Sequence, residues 1–120
     1  EQTMYEDLYY YSATVESVYD GDTVKVNVDL GFKTWIHTET LRLARINAPE
    51  LRGDERPRGL VSRDFLRDLI LDKQVVIRTF KDKQGKYGRY LADIYLQREE
   101  EWINVNDLLV SEGYAVYQEY

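Results

Sequence analysis

The 120-residue chain has no cysteine and only one histidine, His37. Disulfide staples, thiol nucleophiles and cysteine-based zinc sites are therefore excluded, and so are histidine clusters around a metal. A histidine-based triad finds no support, and His37 reads as a surface residue of a strand. Any metal would be held through oxygen, which favours calcium, magnesium or manganese. Proline is scarce, at two residues, and 43% hydrophobic against 32% charged residues is a folding composition rather than a disordered one. No apolar run approaches the roughly 20 residues of a bilayer span, so a soluble protein without a membrane partner is expected. The start, Glu1-Gln2-Thr3, shows no basic segment followed by an apolar one, so no secretory signal is visible and the compartment stays open. Nothing calls for an obligate protein partner.

The length suits one domain with one core. An acidic, tyrosine-containing segment over residues 1–11 is expected to precede a folded domain over 12–120. The net charge of −6 argues at first against a polyanionic partner. Its distribution argues otherwise. Residues 1–22 carry six acids and no base, and residues 99–120 do the same. All sixteen Lys and Arg fall between them, where the balance is +6, and seven arginines lie from Arg42 to Arg67. Polyanion binding depends on the local field rather than on the total charge. Arg45, Arg52, Arg56, Arg58 and Arg63 are equally suited to tracking a phosphate backbone and to pairing with Asp54, Glu55 and Asp64.

Tyr9 to Tyr19, rich in Tyr, Val and Thr, reads as a strand that ends at Asp20-Gly21, a turn signal of the kind that permits positive φ. Val24, Val26 and Val28 alternate with Lys25, Asn27 and Asp29, a half-buried strand. After a reversal at Gly31, a third strand spans about Thr34 to Ile46. Pro57 suits the first turn of a helix that runs to about Leu71. Its apolar face is Val61, Phe65 and Leu69, with Leu66 and Ile70 beside them. Val75-Val76-Ile77 and Leu91 to Leu96 read as two more strands, joined by a polar loop from Asp82 to Gly88. Asn104 is the expected N-cap of a second helix, which carries Asp107 in its first turn and stops before the C-cap glycine Gly113. The order β-β-β-α-β-β-α predicts a β-rich α+β fold, a five-stranded OB-type barrel with two or three helices.

Three segments carry the chemistry: Asp20-Gly21-Asp22-Thr23, Arg42-Leu43-Ala44-Arg45-Ile46-Asn47-Ala48-Pro49-Glu50, and Lys86-Tyr87-Gly88-Arg89. Taken singly, each has an ordinary reading: a hairpin turn, a strand ended by proline, and a glycine-containing surface turn. In this order they resemble the staphylococcal nuclease family, whose members carry a D-G-D-T turn, an R-L-x-x-(I/V)-D-x-P-E segment and a K-Y-G-R loop. The second helix, followed by Gly113-Tyr114-Ala115, is similar to the family's C-terminal pattern. The resemblance covers about Ser12 to Tyr117.

That resemblance implies calcium-dependent hydrolysis of phosphodiester bonds in DNA, or in RNA, with little sequence preference and with 5′-hydroxyl and 3′-phosphate products. It implies Asp22 as a calcium ligand supported by Thr23, with the Ala48 backbone carbonyl beside it. Glu50 corresponds to the residue that orients or deprotonates water, and Arg42 and Arg89 to the two phosphate clamps. Guanidinium suits the clamps because its planar fork donates two hydrogen bonds to one phosphate. Lys86 and Tyr87 are similar to residues that hold the neighbouring phosphate and nucleotide, and Tyr114 and Tyr117 are the tyrosines expected to reach substrate. Asn47 departs from the pattern. Its counterpart is usually an aspartate, and an amide oxygen supplies a ligand with one negative charge fewer. The alternative is a nucleic-acid-binding module that keeps the barrel and has lost catalysis.

Overall fold

A computed structural model describes Met4 and residues 8–119. The N-terminal residues 1–3 and 5–7, and Tyr120, lie outside the described residues. The elements are β1 (Tyr10–Asp20), β2 (Thr23–Gly31), β3 (Thr34–Leu43), β4 (Ile46–Asn47), α1 (Arg56–Ile70), β5 (Gln74–Gln84), β6 (Tyr90–Arg98), β7 (Glu101–Asn104), α2 (Val105–Ser111) and β8 (Val116–Tyr117).

Five strands close a ring. β1 pairs antiparallel with β2 and β5, β2 with β3, and β5 with β6, while β3 meets β6 in parallel. The parallel seam is short, with Leu41, Arg42 and Leu43 opposite Tyr90, Leu91 and Ala92. Further along β6, residues Tyr95 to Arg98 pair instead with β7. The five-stranded OB-type barrel expected from the sequence is thus present, with β7 added to it and a separate two-stranded ribbon of β4 and β8. The alternating valines of β2 all point inward and pack with Val15, Leu41, Leu43, Ile77 and Ile94. Leu66 and Ile70 of α1 and Leu109 of α2 join the same core.

Several local expectations change. The third strand does not run unbroken to Ile46. It stops at Leu43: Ala44 still donates to the Ala92 carbonyl across the seam, but Arg45 turns with φ +69° and the chain pairs again only from Ile46, with β8. The loop expected from Asp82 is strand as far as Gln84, which pairs with Tyr90 beyond an irregularity where Lys81 and Asp82 take positive φ. Only Lys86–Gly88 remains a tight turn. In α1 the buried face is Gly59, Ser62, Leu66, Leu69 and Ile70, whereas Val61 is 55% exposed. Small residues stand there because the helix presses against backbone, which hydropathy does not report.

α2 matches its reading: the Asn104 side chain accepts the Asp107 N–H at 3.1 Å, and Gly113 takes φ +87° past the helix end. Its first turn also buries a residue that hydropathy passes over. Asn106 is fully buried; its Nδ2 donates to Ala44 O (2.9 Å), Ala92 O (3.1 Å) and Asp93 Oδ1 (3.0 Å), and its Oδ1 accepts the Ile94 N–H (3.2 Å). This amide ties α2 to β6 and to the turn after β3. Asn106→Ala should lower stability by about 3 kcal/mol, because buried partners lose their bonds without regaining water. Urea unfolding checks this, and a loss below about 1 kcal/mol would mean the site re-solvates.

Candidate active site

The turn between β1 and β2 organises the acids. Asp20 accepts the Asp22 N–H at 3.0 Å, closing a local Asx turn. Gly21 does not take the positive φ that such a turn permits. It is needed for space: a Cβ there would lie 2.7 Å from Ala48 Cβ and 2.9 Å from Ser62 Cβ. Through that gap the turn, the Ala48 segment and α1 come together.

Asp22 is 6% exposed, and its carboxylate is heavily used. Oδ1 accepts the Thr23 hydroxyl at 3.1 Å, Oδ2 accepts the Ala48 N–H at 2.8 Å, and Arg42 Nη2 stands 3.2 Å from Oδ2. Burial and the charge of Asp22 push the Asp20 carboxyl up to about 6. Two acids so close leave the turn short of positive charge.

Arg42 lies on the parallel seam, opposite Thr23 on one side and Leu91 on the other. Nη1 donates to Leu43 O (2.8 Å) and Ile46 O (3.0 Å), and Nη2 to Asn47 Oδ1 (3.3 Å). Asn47 belongs to β4, and the pairing of β4 with β8 sets its backbone opposite Val116. Arg89, just before β6, donates to the Thr23 hydroxyl at 3.3 Å, and its guanidinium lies 5.3 Å from the Tyr87 ring centre. Tyr87 is itself exposed, at φ +64°.

Glu50 follows Pro49 out of β4. Its N–H donates to Glu55 Oε1, and its carboxylate accepts from Arg52 Nε at 3.0 Å, in a pair open to solvent. Gly59 of α1 fixes this stretch from behind. A Cβ on Gly59 would overlap the Glu50 carbonyl oxygen and lie 2.8 Å from its carbonyl carbon and 3.0 Å from Pro49 O. Backbone cannot swing aside as a side chain does. Gly59→Ala should therefore cost about 2 kcal/mol, the scale of overpacking, and displace residues 49–50. Melting and amide shifts of that segment check it; parental values for both would show slack in the packing.

A single cleft of about 280 Å³ collects most of the expected residues: Asp22, Thr23, Arg42, Asn47, Ala48, Glu50, Tyr87 and Arg89 border it. Asp20, Gly85 and Gln118 border it as well and were not singled out in the sequence. Asp20 was legible only as a turn residue, and Gln118 had no signal. Lys86 opens the adjoining turn, but its side chain lies outside the described residues. Tyr114 and Tyr117 are not in this cleft. Tyr114 stacks on Phe65 at 4.2 Å, and the Tyr117 hydroxyl donates to Asp107 at 3.0 Å. Tyr117 instead borders a neighbouring cavity of about 490 Å³ with Phe80, Leu91, Arg45 and Lys83, and Gln118 borders both.

Much of the basic stretch is paired internally. Arg45 bridges Asp93 and Asp107, Arg63 pairs with Asp64, and Arg52 with Glu50. Among the described residues, no three Asp, Glu, His or Cys side chains form a ready metal cage. The oxygens that do converge are those of the Asp22 carboxylate and the Asn47 amide, which both face Arg42 Nη2, while the Ala48 backbone gives its N–H to Asp22. They fit a hard cation that takes its remaining ligands from water or substrate.

Residues 40–120 match the family described as Staphylococcal nuclease homologue. That span holds Arg42, Asn47, Glu50 and Arg89, while Asp22 lies ahead of it. An uncharacterized protein of Methanocaldococcus jannaschii is 30% identical over 127 residues, covering 88% of this chain and 58% of the relative. The chain therefore spans little more than half the length of that curated relative. With two thirds of its residues inside the matched span and the barrel closed as above, the chain belongs to the staphylococcal nuclease homologue family.

Proposed function

We propose that this domain is a calcium-dependent phosphodiesterase acting on DNA, with RNA as a second substrate, and leaving 5′-hydroxyl and 3′-phosphate ends. The observation that supports this most is the convergence of Asp22, Glu50, Arg42 and Arg89 on one cleft. Hydrolysis needs a nucleophile, relief of charge on the phosphoryl oxygens, and alignment. Glu50, exposed at the rim, takes the proton from the attacking water, whose oxygen bonds to phosphorus as the P–O5′ bond breaks, and the departing 5′ oxygen takes its proton from solvent. Arg42 and Arg89 approach from β3 and β6 and donate hydrogen bonds to the phosphoryl oxygens as charge builds. Asp22 and Asn47 would hold the cation, with the Ala48 carbonyl as the further family-implied ligand and Thr23 orienting Asp22. Bound calcium supplies Lewis-acid polarisation of the phosphoryl group. Tyr87 and Lys86 flank the scissile nucleotide, and the adjoining cavity with Phe80, Leu91 and Tyr117 offers an apolar seat for a base.

A second reading is a binding module, favoured by Asn47 and by the engagement of Arg42 with the oxygens a cation would need. Digestion of plasmid and single-stranded substrates, with calcium or with chelator and alongside gel shift, separates the two. Calcium-dependent cleavage lost on chelation is expected. A chelator-insensitive shift without cleavage would replace the enzyme with the binder.

A further inference from the structure

The two nitrogens of the Arg42 fork have different duties. Nη1 is anchored to the carbonyls of Leu43 and Ile46. Nη2 faces Asp22 Oδ2 at 3.2 Å and Asn47 Oδ1 at 3.3 Å, two oxygens of the proposed cation site. Arg42 is only 8% exposed, so these contacts are made with little screening by water.

We propose that Arg42 is the internal counter-ion of the cleft and competes with the divalent cation for Asp22 and Asn47. This rests on the calcium reading of the same site. The charge balance explains why the competition is sharp. Of the two oxygens that Nη2 contacts, only that of Asp22 belongs to a charged group, and the guanidinium is paired with it. An aspartate at position 47 would bring a second negative charge to the same place, beside the Asp20 that also borders the cleft. Nη2 therefore leaves these oxygens when a divalent cation binds them, while the Nη1 anchor keeps the side chain at the seam. A substrate phosphate then offers Nη2 its next partner. Cation and phosphate binding are coupled through this exchange, and the coupling is reciprocal. The free protein binds calcium weakly, and an occupied phosphate site strengthens it.

The test is calorimetric titration of calcium into the wild type, Arg42→Gln and Asp22→Asn, with and without a phosphorothioate dinucleotide. Arg42→Gln should bind calcium about tenfold more tightly than the wild type, the scale expected when a unit charge is removed from contact with a divalent ion. It should also lose most of the strengthening by the dinucleotide. Unchanged or weaker calcium binding in Arg42→Gln, with binding abolished in Asp22→Asn, would overturn the counter-ion role and leave the metal reading standing. No calcium binding in either wild type or Arg42→Gln would remove the metal reading itself. Should Arg42→Gln fail to fold, the guanidinium resonances of wild-type Arg42 answer the question directly. Calcium should shift them, and resonances that stay fixed while calcium binds would overturn the proposal.

Discussion

Asp22→Asn should abolish calcium binding and lower hydrolysis by about 10³-fold, the scale of losing electrostatic stabilisation at a phosphoryl group. The substitution keeps the shape and one accepting oxygen, so the Ala48 N–H or the Thr23 hydroxyl retains a partner. What it removes is the negative charge that the cation needs and that Arg42 pairs with. Some stability will be lost as well, because Arg42 is buried and keeps its charge. Calorimetry on the folded variant, with thermal melting as the control, separates the two effects. Retained calcium binding would show that the metal sits elsewhere.

Glu50→Gln should cut turnover by about 10²-fold or more, the usual contribution of general base assistance. Structure makes this a clean experiment. The Glu50 side chain is 62% exposed and its partner Arg52 is more open still, so solvent screens the pair and it contributes little to stability. Fold and melting should therefore match the wild type. Calcium affinity should change little, since Glu50 stands at the rim rather than among the oxygens around Asp22. A turnover near wild type would take Glu50 out of the mechanism and leave water activation to another group.

Local patterns in the chain carried much of this structure. The period-two valines of β2, the proline in the first turn of α1, the cap at Asn104 and the glycine at 113 each act within a few residues, and each stood as read. What stayed out of view has a different origin. Gly21 and Gly59 look like freedom in the chain, yet they are small because distant backbone passes close by. Asn106 looks like an interruption of the apolar stripe Val105, Leu108 and Leu109, yet it bonds to strands more than ten residues away. The strand irregularities that carry β5 to Gln84 depend on the register of its partner. Such tertiary approaches leave no periodic trace. The cleft divides the same way. Its charged residues stood in recognisable segments, but no strand parity brings Arg42 towards Glu50. The break after Leu43, the β4–β8 ribbon and the close approach of α1 do that.

The parallel seam between β3 and β6 also bears on how the protein acquires its structure. Leu41 to Leu43 wait for partners at Tyr90 to Ala92, about two fifths of the chain further on. Until β6 is made, the edge of β3 is open, and an unpaired strand edge is a template for association with other chains. Contacts so far apart in sequence also form slowly. Arg42 lies on that edge, and Arg89 arrives with the strand that covers it. A chain that ends before Arg89 would leave Arg42 on an open edge and lack one of the two proposed phosphate clamps, so such a fragment is expected to associate with other chains rather than to bind phosphate.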